Sequence, residues 1–351
     1  MTRIPIQTAT PYTVTVGAGV AAEVPAFIHG ELRRAKKVAV VTDSIVDELH
    51  AAVTVERLTA AGLAVSTFVF PAGEQSKNLA TYGSLLDFLA AHRLDRTDVV
   101  VALGGGVTGD LAGFAAATYK RGITFVQVPT TLLAMVDSSV GGKTGVDLAA
   151  GKNLVGAFHQ PRAVFCDTQF LATLPEIWRM DGMGEVLKYA ILGDADLFGR
   201  LEEVPCSPIS EREIASCIGM KRAIVEKDER EGGERKLLNL GHTFAHAIET
   251  LSGYTVSHGH AVATGLAMIA RAAADSGVLA AGDRARIETL VTAMGYAVRT
   301  DFPVGQIAEA ILADKKVEGD SIDLVLPQAI GRCVVRRTPL AEIGKVVTDA
   351  L

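Results

Sequence analysis

The sequence has few features of a secreted or membrane-spanning protein. Its four cysteines are Cys166, Cys206, Cys217 and Cys333. None of them forms a CxxC pair or fits a zinc-knuckle spacing, which favours free thiols in a reducing cytosol. The first ten residues have no apolar core of signal-peptide length, and no apolar run is long enough to span a membrane. We therefore expect a cytoplasmic protein that does not insert into membranes.

Excess positive charge is also absent. The formal net charge is -6 and the sequence pI is about 5.8, which gives no general attraction to nucleic acids or anionic membranes. An anionic substrate would have to be held by local lysines and arginines. In contrast, 49% of the 351 residues are hydrophobic, so the chain can bury a large core and is long enough for two domains.

The first half alternates between strand-like and helix-like segments. Short β-branched runs occupy 37–42, 64–70, 98–103 and 123–128. Helical patterns separate them at about 44–61, 79–92 and 108–119. Continuous apolar strands that alternate with helices predict a parallel sheet buried on both faces.

Beyond Leu174 and Pro175 the segments become longer and mostly helical in period. The predicted helices are 176–192, 211–228, 237–251, 261–276 and 283–294. A small hairpin is predicted within 321–335. We therefore predict an α/β fold with two domains, 1–170 with a Rossmann-like parallel sheet and 171–351 mainly helical.

A glycine-rich run, 104–110 (GGGVTGD), joins a predicted strand to a predicted helix. Glycines there let backbone N–H groups approach a pyrophosphate at the helix N-terminus, although a tight structural turn has the same signature. The spacing is not that of the GxGxxG fingerprint. Asp43, at the end of the first predicted strand, could accept hydrogen bonds from ribose hydroxyls or cap the following helix.

Histidines are concentrated in one part of the chain. His242, His246, His258 and His260 are four of the eight in the sequence. His242 and His246 lie four residues apart and hence on one face of a predicted helix. Together with a carboxylate, for which Glu185 is the leading candidate, such imidazoles suit a catalytic zinc with an open position. The alternative is a set of capping and surface histidines.

Basic side chains form a third group of candidates. They are Arg121, Lys143, Lys152, Lys188, Lys221 and Arg235. The segments 136–145 and 151–153, which contain Lys143 and Lys152, are rich in small residues and are predicted to be loops. Lysines in such loops can bind phosphate as point charges, whereas each one alone is typical of a solvated surface. Together with a metal site, they indicate a phosphorylated and carboxylated substrate.

Three segments resemble the 3-dehydroquinate synthase family of sugar phosphate cyclases. They are 104–156 (GGGVTGDLAGFAAATYKRGITFVQVPTTLLAMVDSSVGGKTGVDLAAGKNLVG), 182–190 (GMGEVLKYA) and 237–249 (LLNLGHTFAHAIE). The resemblance extends over roughly residues 37 to 330. It implies an NAD-binding domain followed by a helical metal-binding domain, with one active site in the cleft between them.

The resemblance also implies roles for individual residues. The metal ligands would be Glu185, His242 and His258, holding zinc, with cobalt suited to the same set. NAD would contact Asp43, Glu74, Lys77, Gly105, Gly106, Asp110, Thr130, Thr131, Lys143, Lys152 and Thr173. The substrate site would contain Asp137, Lys143, Asn153, Lys188, Lys221, Arg235, Asn239, His246 and one lysine of the pair Lys315 and Lys316, of which Lys316 is favoured. Arg121 would reach the phosphate site of a neighbouring subunit, so a homodimer is expected.

The implied reaction converts 3-deoxy-D-arabino-heptulosonate 7-phosphate to 3-dehydroquinate and phosphate. It proceeds by transient oxidation with NAD, phosphate elimination, re-reduction, ring opening and intramolecular aldol closure, and NAD is regenerated. His246 and Lys152 are candidates for holding the phosphate. The chain would thus be a carbon–oxygen lyase of the shikimate pathway, which leads to aromatic amino acids.

Two positions depart from the family pattern. His260 stands where the family often has Glu, so a second imidazole could compete with His258 for the metal; we expect His258 to be the ligand. Gly184 stands where Ala is more usual, at an expected cost of about 0.5–1 kcal/mol for a helical glycine.

Three other functions fit parts of the pattern. A sister cyclase of the 2-deoxy-scyllo-inosose or valiolone type would share the fold, zinc and NAD, but its substrate has no carboxylate for Arg235 to bind. A metal-dependent polyol dehydrogenase of the glycerol dehydrogenase type would release NADH stoichiometrically. An inactive NAD-binding regulator would be expected to have lost one of the three metal ligands.

Overall fold

The computed structural model describes residues 1–205, 207–313 and 317–351. The chain divides into two units. The first contains Met1–Arg179 and Ile214–Glu226, and the second contains Met180–Glu213 and Lys227–Leu351. The sequence pattern predicted a boundary near residue 170 but did not predict that the chain returns to the first unit.

The first unit is built on a seven-stranded sheet. Its strands, together with those of a separate hairpin, are β1 (Thr2–Ile6), β2 (Tyr12–Gly17), β3 (Lys37–Asp43), β4 (Ala64–Phe70), β5 (Val99–Gly104), β6 (Thr124–Pro129), β7 (Lys143–Leu148), β8 (Gly151–Phe158) and β9 (Ala163–Asp167). The order in the sheet is β1-β2-β9-β6-β5-β3-β4. Only β1 pairs antiparallel to its neighbour, and the other pairs are parallel. The predicted Rossmann-like parallel sheet is confirmed.

Helices pack on both faces of this sheet, which explains why its strands are apolar. The helices are α1 (Val24–Glu31), α2 (Ser44–Val46), α3 (Ala52–Ala60), α4 (Leu79–Ala91) and α5 (Gly106–Thr118). Val38 and Val40 of β3 pack in one core cluster with residues of α1 and α3. Ala39 and Val41, the alternate positions, pack in a second cluster with residues of α4 and α5. Successive side chains on a strand point to opposite faces, so a strand covered on both sides is apolar throughout.

Helices dominate the rest of the chain. They are α6 (Glu176–Gly193), α7 (Ala195–Glu203), α8 (Glu211–Val225), α9 (His242–Leu251), α10 (His258–Asp275), α11 (Ala281–Ala293), α12 (Val304–Leu312) and α13 (Ile343–Ala350). A small antiparallel sheet accompanies them, formed by β10 (Val317–Glu318), β11 (Ser321–Ala329) and β12 (Arg332–Pro339). Most residues of α10 are buried, which makes it the central helix of the second unit. Within the described ranges, no helix has both the length and the apolarity needed to cross a lipid bilayer.

The predicted loop at 136–145 is correct only for residues 139–142, and the predicted loop at 151–153 is wrong. The chain forms a π-helical turn at Ala134–Ser138, and Lys143 and Gly151 begin the paired strands β7 and β8. Small residues are needed in this hairpin because the backbones approach closely. A Cβ on Gly156 would lie 2.2 Å from the carbonyl oxygen of Thr144.

The predicted helix at 237–251 is also interrupted. A 3-10 helix spans Glu234–Asn239, and α9 begins only at His242. Gly241 between them has φ +76°, which lies in the left-handed region that suits glycine. This break places His242 in the first turn of α9.

Candidate metal and cofactor sites

Three side chains of the second unit converge on one point. Glu185 lies within α6, while His242 and His258 are the first residues of α9 and α10. The Nε2 atoms of His258 and His242 lie 3.1 and 3.5 Å from the same carboxylate oxygen, Glu185 Oε1. One ligand atom from each of the three residues lies within 4.8 Å of the others. The group therefore offers two nitrogens and one oxygen to a single cation.

Each imidazole also forms a hydrogen bond through its Nδ1 atom, and these bonds orient the two Nε2 atoms toward Glu185. The Nδ1 atom of His242 lies 3.0 Å from the backbone carbonyl of Leu240. The Nδ1 atom of His258 lies 3.3 Å from Glu249 Oε2. A proton on each Nδ1 would be donated to these oxygens and would leave the Nε2 lone pairs for a metal.

The charges at the group also suit a cation. Although burial opposes ionisation, Lys188 and His242 hold the pKa of Glu185 well below its ordinary value. Burial lowers the pKa of His242. Burial also disfavours a charge on His258, but its hydrogen bonds with Glu185 and Glu249 raise its pKa to about 10. A divalent cation would take the place of that proton, and the donor set fits a zinc site with three protein ligands.

Lys188 shares the carboxylate of Glu185. Its Nζ lies 2.6 Å from Glu185 Oε2, the oxygen that does not face the histidines, and its side chain is 1% exposed. The spacing of three residues on α6 places the two side chains on one face of the helix. The carboxylate thus faces an ammonium group with one oxygen and the imidazoles with the other.

Helices α6 and α10 are joined beside the three ligands. Asp181 Oδ1 accepts hydrogen bonds from the N–H groups of Gly259 at 2.6 Å and His260 at 3.3 Å. A Cβ on Gly184 would lie 2.1 Å from the carbonyl oxygen of Gly259. Gly184, which the sequence suggested was a tolerated replacement of alanine, is therefore required by this close helix contact.

His260 points away from the metal-binding group. Its Nδ1 lies 2.8 Å from Ser257 Oγ, and its ring packs edge-on against Tyr296 with 5.2 Å between centroids. It is not one of the three residues whose ligand atoms converge. In this arrangement it contributes to packing at the start of α10.

In the first unit, the glycine run follows β5 and begins α5. Gly105 occupies the N-cap position of α5. The two threonines after β6 lie beside it, because the Thr130 N–H donates to the Gly104 carbonyl at 3.0 Å and a Cβ on Gly105 would lie 3.0 Å from Thr131 Cγ2. The run is thus both a tight turn and a helix N-terminus with small neighbours, which is the geometry that suits a pyrophosphate.

Asp43 caps α2, one of the two roles that the sequence left open. Its Oδ1 accepts hydrogen bonds from the N–H groups of Ile45 and Val46 at 3.0 and 3.1 Å. The Thr108 hydroxyl lies 3.5 Å from Asp43 Oδ2. Asp43 therefore lies next to the first turn of α5, and a role toward ribose stays a prediction.

Lys77 is buried and is the centre of a polar network in the first unit. Its Nζ lies 2.6 Å from Asp110 Oδ2 and 2.6 Å from Asn153 Oδ1. Glu74 Oε1 lies 3.9 Å from the Nζ atoms of both Lys77 and Lys152. Burial disfavours the charge on Lys77, but Asp110 and Glu74 raise its pKa. Five predicted site residues are thus close together.

The other predicted residues of the first unit lie in several places. Lys221 of α8 pairs with Asp137, with 3.1 Å between Nζ and Oδ1. Thr173 Oγ1 lies 2.9 Å from His50 Nε2. Lys143 is exposed at the start of β7, and Arg121 follows α5 with φ +66°.

In the second unit, His246 lies beside the metal-binding group, with its ring centroid 5.7 Å from that of His242. Arg235 is 1% exposed and donates to the Glu229 carbonyl. Asn239 Nδ2 lies 3.4 Å from Glu231 Oε1. The predicted substrate residue Lys316 lies outside the described residues.

Four further carboxylates support these groups and were missed in the sequence. They are Asp147, Asp181, Asp228 and Glu249. Asp147, for example, accepts a hydrogen bond from the N–H of Asn153 at 2.7 Å, where Asn153 has φ +55°. The quoted family segments contain Asp147 and Glu249, but no spacing rule distinguishes them from surface acids.

Asp228 organises the loop that leads to Arg235. Its carboxylate accepts hydrogen bonds from the N–H groups of Gly232, Gly233 and Arg235 at 2.9, 2.7 and 3.0 Å. Desolvation opposes the charge, but these three bonds lower the pKa of Asp228. The carboxylate therefore stabilises the fold in its ionised form.

We expect Asp228→Asn to lower the free energy of unfolding at pH 7 by about 1–3 kcal/mol, because the amide cannot accept all three bonds. A carboxylate with a lowered pKa contributes stability above its unfolded pKa of 3.8, and the contribution is lost as pH falls through the lower folded pKa. The difference between wild type and variant should hence diminish below about pH 4. Urea unfolding at a series of pH values would measure it, and a difference independent of pH would contradict this role.

Comparisons with known proteins find similar proteins over most of the chain. Residues 67–179 match the family model described as 3-dehydroquinate synthase N-terminal, and residues 182–317 match 3-dehydroquinate synthase C-terminal. A curated 3-dehydroquinate synthase from Opitutus terrae is 48% identical over 318 residues, which cover 88% of this chain and 87% of that protein.

Solved structures of two other cyclases are similar over nearly the whole chain. A 2-deoxy-scyllo-inosose synthase complexed with carbaglucose-6-phosphate, NAD+ and Co2+ has a TM-score of 0.89 and 26% identity, with 100% of both chains covered. The 2-epi-5-epi-valiolone synthase from Streptomyces hygroscopicus, with NAD+ and Zn2+ bound, has a TM-score of 0.86 and 26% identity. That comparison covers 99% of this chain and 98% of the other.

Proposed function

Because the chain belongs to the 3-dehydroquinate synthase family, we propose that it converts 3-deoxy-D-arabino-heptulosonate 7-phosphate to 3-dehydroquinate and phosphate. The observation that carries the proposal is the convergence of the His242 and His258 Nε2 atoms on the Glu185 carboxylate. The enzyme would be a carbon–oxygen lyase that depends on NAD and a divalent metal.

The metal would be held by Glu185, His242 and His258, and either zinc or cobalt suits these donors. NAD would be held in the first unit by the residues around the glycine run and Lys77. They are Asp43, Glu74, Lys77, Gly105, Gly106, Asp110, Thr130, Thr131, Lys143, Lys152 and Thr173. When bound, NAD would supply a reversible hydride acceptor and the metal a Lewis acid toward substrate hydroxyl groups.

Side chains of the protein would bind the anionic substrate through positive charges and hydrogen bonds. Arg235 is suited to the substrate carboxylate, because a guanidinium can form two parallel hydrogen bonds with it. Lys188 keeps a buried positive charge next to Glu185 and would contact substrate oxygens. Lys143, Lys221 and Lys316 would add positive charge around the substrate, and Asp137, Asn153 and Asn239 would supply hydrogen bonds.

The departing phosphate would be held by His246 and Lys152. We further propose a homodimer in which Arg121 of one copy reaches the phosphate site of the other. Arg121 is exposed, and it and the preceding Lys120 both have positive φ just after α5. The proposal thus gives an anionic substrate local positive groups despite the net negative charge of the chain.

The test is phosphate release by zinc-loaded protein supplied with 3-deoxy-D-arabino-heptulosonate 7-phosphate and less NAD than substrate. We expect phosphate to accumulate over many turnovers with no lasting NADH absorbance, and protein stripped with a chelator to be inactive. Absence of phosphate release would contradict the proposal. Release from glucose 6-phosphate or sedoheptulose 7-phosphate instead would indicate a sister cyclase, and accumulating NADH with a polyol would indicate a dehydrogenase.

A further inference from the structure

Glu249 is a buried carboxylate next to the metal-binding group. It lies at the Nδ1 side of the His258 ring, whereas Glu185 lies at the Nε2 side. Glu249 lies on α9 seven residues after His242, about two helical turns along the same face. Its side chain is 5% exposed, and its Oε2 lies 3.3 Å from His258 Nδ1. None of the roles proposed above for metal, NAD or substrate includes it.

The His258 ring separates two carboxylates. Its Nε2 faces Glu185 at 3.1 Å and its Nδ1 faces Glu249 at 3.3 Å. Because the two ring nitrogens point in different directions, a cation bound to Nε2 is turned away from Glu249. The position of Glu249 is therefore that of a partner to the ligand and not of a fourth ligand.

The two histidines have unlike partners. His242 Nδ1 faces the neutral carbonyl of Leu240, whereas His258 Nδ1 faces a carboxylate. A carboxylate that accepts the outer proton of a ligating imidazole fixes its tautomer and ring orientation and makes the inner nitrogen a stronger donor. The effect should be larger than that of a carbonyl because a charged acceptor forms a stronger hydrogen bond.

We propose that Glu249 is a positioning residue that keeps the His258 proton on Nδ1 and strengthens Nε2 as a metal ligand. This inference rests on the proposed function, since it requires that Glu185, His242 and His258 bind a metal. In this proposal α9 contributes to the metal site twice, because it supplies one ligand, His242, and orients another through Glu249. His258 begins α10, so Glu249 links the two helices at the metal.

The first test is Co2+ affinity of the full-length chain after metal removal, measured by competition with a chelator. Glu249→Gln keeps the size of the side chain and removes its charge, and it should weaken Co2+ binding by about 10–100-fold. The visible absorption bands of the bound Co2+ should also shift, because the donor strength of His258 changes. A loss of stability that leaves the three ligands in place would not move these bands.

Glu288→Gln is the matched control. Glu288 lies on α11 of the same unit and pairs with Arg271, with 2.5 Å between Oε1 and Nε. The control removes the same charge from a partly buried ion pair without touching the three ligands, so it should leave the Co2+ affinity and spectrum unchanged. If both variants weaken binding equally, the inference is overturned.

A second test asks whether Glu249 acts through His258. In a His258→Gln background, Glu249→Gln should cause no further loss of Co2+ affinity, because the ligand it orients is gone. An equal additional loss in both backgrounds would contradict the proposed role. If Glu249→Gln fails to fold, as judged by circular dichroism, Glu249→Asp serves in its place with an expected intermediate loss of affinity.

Failure of the inference and failure of the proposed function give different results. Wild-type protein that binds no Co2+ would contradict the proposed metal site itself. Wild-type binding together with unchanged affinity and unchanged spectrum in a folded Glu249→Gln variant would overturn only the role of Glu249.

Discussion

Replacing Glu185 with glutamine should reduce phosphate release to the level of chelator-treated protein. The substitution removes the only anionic ligand among the three converging side chains and leaves two imidazoles, which hold a divalent cation weakly. It also leaves the Lys188 ammonium, whose side chain is 1% exposed, without the carboxylate that lies 2.6 Å away. Breaking a buried ion pair by removing one of its partners typically costs about 3–5 kcal/mol of stability. Phosphate assays and urea unfolding of the same preparation would measure both losses.

A double variant separates these two losses. Glu185→Gln with Lys188→Met removes both charges, and a buried ion pair replaced by uncharged groups of similar volume is often neutral for stability. The double variant should therefore recover most of the lost stability but none of the activity. Phosphate release by either variant at the wild-type rate would rule out Glu185 as a ligand, whatever its effect on folding.

Replacing Gly259 with alanine should lower stability more than the same replacement at any other glycine that the structure describes in the second unit. The new Cβ would lie 1.6 Å from the backbone carbonyl oxygen of Asp181, which is a rigid neighbour and not the end of a flexible side chain. Overpacking usually costs about 1–3 kcal/mol, and a clash with backbone should reach the upper end or exceed it. Because Gly259 follows His258, the displacement should also misplace a ligand and lower activity by about a hundredfold.

The control is the same substitution at Gly199. This glycine lies within α7 of the same unit, and a Cβ there would meet no atom within 4 Å. Alanine at such a position should raise the free energy of unfolding by about 0.4–1 kcal/mol, since it restricts the unfolded chain. Thermal unfolding of the two variants should thus change in opposite directions. Similar changes at both positions would contradict the close contact between α6 and α10.

Helices and strands with a clear apolar periodicity were predictable from the sequence, because that periodicity and the flanking turn residues are local features. The strand 64–70 agrees with β4 at both ends, and the helix 79–92 differs from α4 by one residue. Both have the apolar period of their structure and clear turn residues at their ends. Family membership was equally accessible, since the quoted segments lie largely within the residues that match the family models.

Features that depend on contacts between residues far apart in the sequence were not predictable. Gly145 lies in a segment that was predicted to be a loop, whereas Gly145 and Gly156 are both required where β7 and β8 pass closely. Gly184 appeared to be a mild defect in a helix because its neighbour, Gly259, is far away in the sequence. Glu249 and Asp181 looked like ordinary acids, since their partners at the start of α10 become adjacent only in the folded chain. The ligand assignments themselves stay predictions until a metal is measured.

The return of residues 214–226 to the first unit has a consequence for how this protein is made. Lys221 of that segment pairs with Asp137, so the first unit lacks this contact until the segment has been synthesised. A ribosome delivers the segment only after it has already synthesised α6 and α7. The first unit is therefore complete only after part of the second unit has been synthesised, whereas N-terminal domains commonly fold first. For the same reason, a gene fragment that ends near codon 179 would encode the first unit without Ile214–Glu226.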